Sequence, residues 1–337
     1  MTIGIGVVGC GTISKAHFTA IKRIPQVKLV GITSKDLPKA KRAAEEYQCK
    51  VYQSVSELLL DPEIHMVTYL TPPGVHQELI IPTLESGKHI LVEKPIGTDI
   101  GKIKVFLQKA KESDRVLSCI SQHRFDPASQ VVLAKLNQGV LGKMTGANCL
   151  VNWYREQSYY NPWRSSRSQA GGGVLAIQAY HTIDLMLWYM GEVASVKAYT
   201  DRIGHEGIDV EDIAMACIRF TNGTLGVISA TTSAYPGYSA KLDIFGTQGS
   251  VTIEGDELTY YHSSIDQEKI TAQAKGESVA DPSQVSVDSI LGQYQDVIRA
   301  IETGTQPLVT GEEAGKVYAL IEAIYESSAT GKEIKLN

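Results

Sequence analysis

A short apolar run, Ile3–Val8, leads straight into Gly9-Cys10-Gly11-Thr12-Ile13-Ser14, and this turn constrains the fold more than any other feature. In the pattern Gly9-x-Gly11-x-x-Ser14, the first glycine permits a tight strand-to-helix turn. The second lets a pyrophosphate approach the backbone. The third position needs a small residue for helix–strand packing, which serine supplies. The free N–H groups and positive end of the helix that follows then face the phosphates. Gly9, Gly11, Thr12 and Ile13 are therefore candidate dinucleotide contacts.

The next hundred residues alternate strand and helix. Helices are expected over 15–24, 38–47, 54–60 (capped by Ser54 or Ser56), 76–86 and 100–113; strands over 27–33, 66–70, 89–92 and 116–120. This alternation predicts an α/β Rossmann domain with a parallel sheet. After about residue 122 the texture changes. Residues 213–220 and 225–230 flank Thr221-Asn222-Gly223-Thr224, a hairpin signal. Residues 241–245 and 250–253 repeat it around Gly246-Thr247-Gln248-Gly249, and helices follow near 289–302 and 312–328. The expected organisation is a Rossmann domain, 1–122, followed by an α+β domain, 123–337, with a large, mostly antiparallel open sheet.

Composition removes several function classes. With a net charge of −5 there is no basic field for nucleic acid or an anionic membrane. No apolar run is long enough to cross a bilayer. The five cysteines, Cys10, Cys49, Cys119, Cys149 and Cys217, form no Cys-x-x-Cys pair, which argues against a disulfide framework or a zinc site and for a reducing, cytoplasmic setting. No metal is expected. The uncharged start, broken by glycines, reads as strand and turn rather than a secretion signal.

About twenty residues past the glycines, NAD enzymes usually carry an acid for the ribose 2′-hydroxyl. Here Thr33-Ser34-Lys35-Asp36 places Ser34 at that point with Lys35 beside it. A hydroxyl and a cation suit a 2′-phosphate, so NADP is preferred, with NAD the alternative if Asp36 reaches the ribose. Beyond the strand at 89–92 sits Glu93-Lys94-Pro95, at the sheet edge where open α/β folds bind ligands. Further on, Gly171-Gly172-Gly173 precedes an apolar stretch from Val174 that reads as one buried helix. On it Ile177, His181 and Asp184 share a face. His181 is either a satisfied core histidine or a functional group.

Gly9-Cys10-Gly11, Thr71-Pro72-Pro73, His76, Gly87-Lys88-His89, Glu93-Lys94-Pro95, the triple glycine and His181-Thr182-Ile183-Asp184 occur in order along nearly the whole chain. Together they resemble the Gfo/Idh/MocA oxidoreductases, named for glucose–fructose oxidoreductase and inositol dehydrogenase. The resemblance implies hydride transfer between NAD(P) and a hydroxyl or carbonyl of a sugar, sugar derivative or polyol, by a homodimer or homotetramer. It implies that Thr71, Pro72, His76 and Glu93 lie at the cofactor, that Lys94 lies at both cofactor and substrate, that His181 is the acid/base, and that Asp184 orients structure. Two departures stand out. Ile177 occupies the place of an aspartate four residues before the histidine, and Pro73 that of an asparagine. Arg124, Tyr154, Trp163, Arg164 and Gln178 are the substrate-binding candidates, and Arg155, Arg164 or Arg167 could fork onto a carboxylate or phosphate. Two rival readings are an NAD-dependent glycoside hydrolase and a non-catalytic, cofactor-binding regulator.

Overall fold

The computed structural model describes residues 2–160, 162–266 and 286–336. In chain order the elements are β1 (Ile3–Val8), α1 (Ser14–Lys22), β2 (Val27–Thr33), α2 (Leu37–Tyr47), β3 (Lys50–Val51), α3 (Val55–Leu60), β4 (Met66–Tyr69), α4 (Pro73–Glu85), β5 (His89–Val92), α5 (Ile100–Ser113) and β6 (Leu117–Cys119). Then come α6 (Pro127–Asn137), β7 (Met144–Asn152), α7 (Arg167–Ala170), α8 (Val174–Ile177), α9 (Tyr180–Met190), β8 (Val193–Asp201), β9 (Ile213–Phe220) and β10 (Leu225–Thr231). The chain closes with β11 (Lys241–Gly246), β12 (Gly249–Glu254), β13 (Glu257–Ser263), α10 (Val287–Thr303), α11 (Gly311–Thr330) and β14 (Ile334–Lys335).

Two units result. The first holds residues up to 122 and, of the described later residues, 286–315; the second holds 123–266 and 316–336. In the first, six parallel strands run in the order β3-β2-β1-β4-β5-β6. All six residues of β1 are buried, as an apolar strand covered on both faces requires. The order reverses between β1 and β4, which makes the ends of these strands the ligand-binding edge of such a sheet. Ser54, rather than Ser56, caps α3 by accepting from the Glu57 N–H at 3.1 Å. Helix α4 begins a turn earlier than expected because Pro73 and its fixed φ suit a first helical position.

Residues 286–315, which the sequence reading groups with the second domain, pack in the first unit. Ile290, Tyr294, Val297 and Ile298 form one stripe of α10 and join the core with Phe18 and Ile21 of α1. Chain order alone does not show which core such a stripe enters.

The second unit is built on an eight-stranded sheet ordered β13-β12-β11-β7-β10-β9-β8-β14. Every pair is antiparallel except β7 with β10. Burial alternates along β9, so one face packs on the core and the other is open. The β9–β10 turn closes with Gly223 at φ 87° and the Gly223 N–H donating to the Phe220 carbonyl at 2.9 Å. Ile183 and Met186 of α9 and Leu320, Ile321 and Ile324 of α11 fill the core face.

One expectation is corrected. The apolar stretch from Val174 is two helices, α8 and α9, separated at Gln178 and Ala179. The Ala179 N–H reaches back five residues to the Val174 carbonyl at 2.8 Å, so the turn is wider than an α-helical one. Ile177 and His181 therefore do not lie on one continuous helical face. Among the described residues, no helix is long and apolar enough to cross a membrane.

Candidate active site

The first unit supplies a phosphate-binding turn. Gly9 has φ 111°, and a Cβ there would meet the Leu70 carbonyl oxygen at 2.6 Å, so only glycine fits. At Gly11 an added Cβ would meet nothing within 4 Å, so the space in front of this backbone is open. Ser14 is buried and its hydroxyl donates to the Gly11 carbonyl at 2.7 Å, closing the turn. The N-cap of α1 is Ile13, whose side chain accepts nothing, so no side chain satisfies the first amides of the helix. An open glycine and an uncapped helix start are what a dinucleotide pyrophosphate needs. Gly9, Gly11, Thr12 and Ile13 fit that group.

At the end of β2 the three polar side chains diverge. Asp36 caps α2, accepting from the Lys39 N–H at 3.1 Å, and its second oxygen lies 3.3 Å from Lys39 Nζ. That backbone hydrogen bond, with Lys39 and Arg42 nearby, holds its carboxyl below the usual range. Ser34 Oγ accepts from the Asp36 N–H at 3.3 Å, and Lys35 is exposed. Burial pushes the neighbouring Cys10 thiol up to about 11.

Glu93 follows β5 and sits in a buried polar chain. His17 Nε2 lies 3.1 Å from Glu93 Oε1, and His17 Nδ1 lies 3.0 Å from the Tyr294 hydroxyl, which donates to Thr68 at 3.2 Å. The other Glu93 oxygen accepts from the Lys94 N–H at 3.1 Å. Burial opposes ionisation of Glu93, but His17 and Lys94 outweigh it and hold the carboxyl below its ordinary value. Lys94 is half-buried and the Lys94–Pro95 peptide is cis.

His76 requires a correction. It is fully buried, with Nδ1 on the Thr71 carbonyl at 3.1 Å and Nε2 on the Pro95 carbonyl at 3.0 Å. It turns both ring nitrogens to backbone carbonyls rather than to a cofactor, and the neutral ring donates its one N–H to one of the two, the Thr71 carbonyl before α4 or the Pro95 carbonyl after β5. Burial lowers its pKa to about 4. Thr71 and Pro72 form the entry to α4, whose N-cap, Pro72, makes no side-chain bond.

The second unit carries the other candidates. His181, near the start of α9, is half-buried and in edge contact with His123, ring centroids 5.0 Å apart. His123 Nδ1 lies 2.5 Å from Asp126 Oδ2. Burial opposes a charge on His123, but Asp126, Asp256 and Asp184 overcome it and raise its pKa. The segment Gln122-His123-Arg124-Phe125 stands out in the sequence as polar and aromatic, but the contact of His123 with His181 does not, because the two are 58 positions apart.

Arg124 is also corrected. It is 1% exposed, and its Nε and Nη2 fork onto the two oxygens of Asp184 at 2.9 and 2.7 Å, with Trp188 5.3 Å below. The guanidinium is part of the core and is not offered to a substrate. Gln178 is 5% exposed and its amide donates to the Tyr159 hydroxyl at 3.0 Å. Tyr159 also lies under Arg155 at 5.3 Å and Arg164 at 4.6 Å. Arg155 stands over Trp153 at 5.0 Å, and Arg164 over Trp163 at 4.7 Å. Arg167 is paired with Glu322 at 3.1 Å. Tyr154 is 37% exposed and edge-packed on Tyr235 at 5.0 Å. Tyr159 escapes sequence reasoning because it lies in a four-residue 3-10 helix, Gln157–Tyr160, too short to show a periodicity. Among the described residues, no group of three or more His, Cys, Asp or Glu could hold a metal ion.

A parallel sheet in this strand order with an open glycine turn, joined in one chain to a mostly antiparallel eight-stranded sheet, defines a two-domain nicotinamide-dinucleotide oxidoreductase. Family models agree. Residues 3–121 match the oxidoreductase family with an NAD-binding Rossmann fold, and residues 130–252 match the GFO/IDH/MocA C-terminal domain. The chain belongs to the Gfo/Idh/MocA oxidoreductase family. It is 25% identical over 339 residues to the myo-inositol 2-dehydrogenase of Thermotoga maritima, covering 98% of each. It is 28% identical over 286 residues to the levoglucosan dehydrogenase of Pseudarthrobacter phenanthrenivorans, covering 74% of this chain and 73% of that protein. The WlbA dehydrogenase of Bordetella pertussis, solved with NADH and UDP-GlcNAcA, superposes with a TM-score of 0.88 at 28% identity, over 100% of this chain and 99% of that one.

Proposed function

We propose that this oxidoreductase moves a hydride between a nicotinamide dinucleotide and a hydroxyl or carbonyl carbon of a sugar, sugar derivative or polyol. The observation that carries the reading is the open Gly11 turn before the uncapped α1. Relatives named for inositol and levoglucosan support the substrate class. When bound, the nicotinamide supplies the carbon that accepts or donates hydride. Lys94 and His181 carry the proton chemistry. His181 takes the hydroxyl proton as the alcohol is oxidised and returns it in reduction. Lys94 donates a hydrogen bond to the substrate oxygen as negative charge develops there. Ile177 brings no carboxylate to His181, whereas His123, locked on Asp126, lies against its ring. Lys94→Ala and His181→Ala are each expected to lower turnover by about 10²–10⁴-fold with cofactor affinity kept. Unchanged turnover in either would remove that residue's role.

The cofactor we favour is NADP. Asp36 is engaged as the cap of α2, which leaves the Ser34 hydroxyl and the Lys35 ammonium for a 2′-phosphate. A fluorescence titration should find NADPH at least about tenfold tighter than NADH, about 1.4 kcal/mol. Equal affinity would overturn this preference and leave the oxidoreductase assignment standing.

The open face of the eight-stranded sheet exposes Met215 of β9, Leu225 and Val227 of β10 and Tyr199 of β8. We expect this apolar face to be covered in a homodimer or homotetramer; a monomer in sedimentation would refute that. Five free thiols accord with a cytoplasmic location.

A further inference from the structure

The arginines of the second unit are not equivalent. Arg124 is paired with Asp184, and Arg167 with Glu322. Arg155 and Arg164 have no carboxylate within 4.0 Å among the described residues. They stand instead in a ladder of rings, Trp153, Arg155, Tyr159, Arg164 and Trp163, with successive separations of 5.0, 5.3, 4.6 and 4.7 Å. Rings attract a cation and hold it in place but offer no lone pair to its N–H groups. Each guanidinium has about five such donors. Arg155 uses one, on the Tyr154 carbonyl at 2.9 Å. Arg164 makes no hydrogen bond among the described residues, and its Nε is a buried donor without a partner. A buried guanidinium donor such as Arg164 Nε is costly to leave unmade unless an acceptor completes it.

The ladder is anchored. The Arg155 N–H donates to the Thr232 carbonyl at 2.8 Å, and its own carbonyl lies 2.8 Å from His205 Nε2, whose other nitrogen is on Asp212 at 2.9 Å. The shared ring, Tyr159, is held by the Gln178 amide at 3.0 Å. Gln178 is 5% exposed, its Oε1 is a second buried atom without a partner, and it occupies the break between α8 and α9, three residues before His181. An unpartnered donor on Arg164 and an unpartnered acceptor on Gln178 thus flank one tyrosine. That is a complement for a group bearing both an anionic oxygen and a hydroxyl.

We propose that Arg155 and Arg164 form an anion subsite, and that the substrate is a sugar carrying a carboxylate or a phosphate rather than a neutral polyol. The inference rests on the sugar-oxidoreductase reading above and narrows it. The guanidinium forks take the anionic oxygens, and Gln178 takes a sugar hydroxyl.

Calorimetric titration of the full chain, with and without NADPH, tests this using D-glucuronate, glucose 6-phosphate, inorganic phosphate and, as the neutral control, D-glucose. At least one charged sugar is expected to bind tenfold or more tightly than glucose, with phosphate competing. Glucuronate alone would mark a carboxylate site, and glucose 6-phosphate alone a phosphate site. Arg155→Gln and Arg164→Gln should each weaken the charged sugar at least tenfold while NADPH and glucose binding stay unchanged. Arg164→Lys, which keeps the charge without the fork, should recover only part; melting curves identify a variant that fails to fold, and Arg164→Lys then decides. Charged and neutral sugars binding alike, or variants holding the charged sugar as tightly as the wild type, would overturn the subsite. Failure of both NADPH and NADH to bind the wild type would strike the dehydrogenase reading instead, because the anion titration without cofactor still reports on the two arginines.

Discussion

Removing the Asp184 carboxylate should be among the most damaging single changes in the second unit. The side chains of Arg124 and Asp184 are 2% and 1% exposed, and the two hydrogen bonds of 2.9 and 2.7 Å form a fork-to-carboxylate pair. In Asp184→Ala the guanidinium stays in the core with its counter-charge gone. Breaking one side of such a pair costs about 3–5 kcal/mol. The Trp188 ring 5.3 Å away contributes about 2 kcal/mol in such a desolvated contact, but it is present before and after and does not offset the loss. At roughly 2–4 °C per kcal/mol for a unit of this size, the melting temperature should fall by about 6–20 °C. Urea denaturation followed by tryptophan fluorescence measures the cost directly, since Trp188 lies beside the pair. The double variant Arg124→Met, Asp184→Leu discriminates the cause. Replacing both charges with apolar groups of similar size is typically neutral or stabilising, so it should recover most of the loss. A single variant costing under about 1 kcal/mol, or a double variant as unstable as the single, would refute the reasoning: the first would mean that the guanidinium is not desolvated, the second that shape rather than charge was lost.

The glycine turn separates stability from binding. Gly9→Ala forces a side chain into φ 111° and against the Leu70 carbonyl, and should cost about 1–3 kcal/mol in unfolding assays. Gly11→Ala meets nothing within 4 Å and should leave the apo melting temperature unchanged while weakening the dinucleotide by roughly tenfold or more, since the methyl fills the open approach. Acid sensitivity should come partly from His76. Its folded pKa of about 4 lies below the ordinary 6.5, so the unfolded chain takes up a proton that the fold refuses. Its contribution is therefore intact above pH 6.5 and lost as pH falls from 6.5 towards 4. His76→Gln should flatten the urea-midpoint slope across that window, and an unaltered slope would show that His76 does not titrate there.

Much of the first unit was legible in the sequence because its determinants are local. Continuous apolar strands, the Gly9–Ser14 turn and alternation with helices are each written within a few residues, and strand β1 and the turn into α1 follow directly from them. The Asn-Gly hairpin of the second unit is equally local. The placement of α10 was not, since its stripe suits any apolar surface and packing against α1 decides between them. The break at Gln178 was hidden because both halves read as one apolar helix, and the i−5 bond at Ala179 is a tertiary compromise. The roles of the arginines also lay beyond the sequence. Arg124, Arg155, Arg164 and Arg167 are alike as letters; which finds a carboxylate depends on Asp184 and Glu322, 60 and 155 positions away. Periodicity and turn chemistry act over one or two helical turns, and so the sequence determined the elements and the dinucleotide turn. Charge pairing and burial act through space, and so only the tertiary structure decided that Arg124 and His76 are internal ties and that Arg155 and Arg164 meet aromatic rings rather than a carboxylate among the described residues.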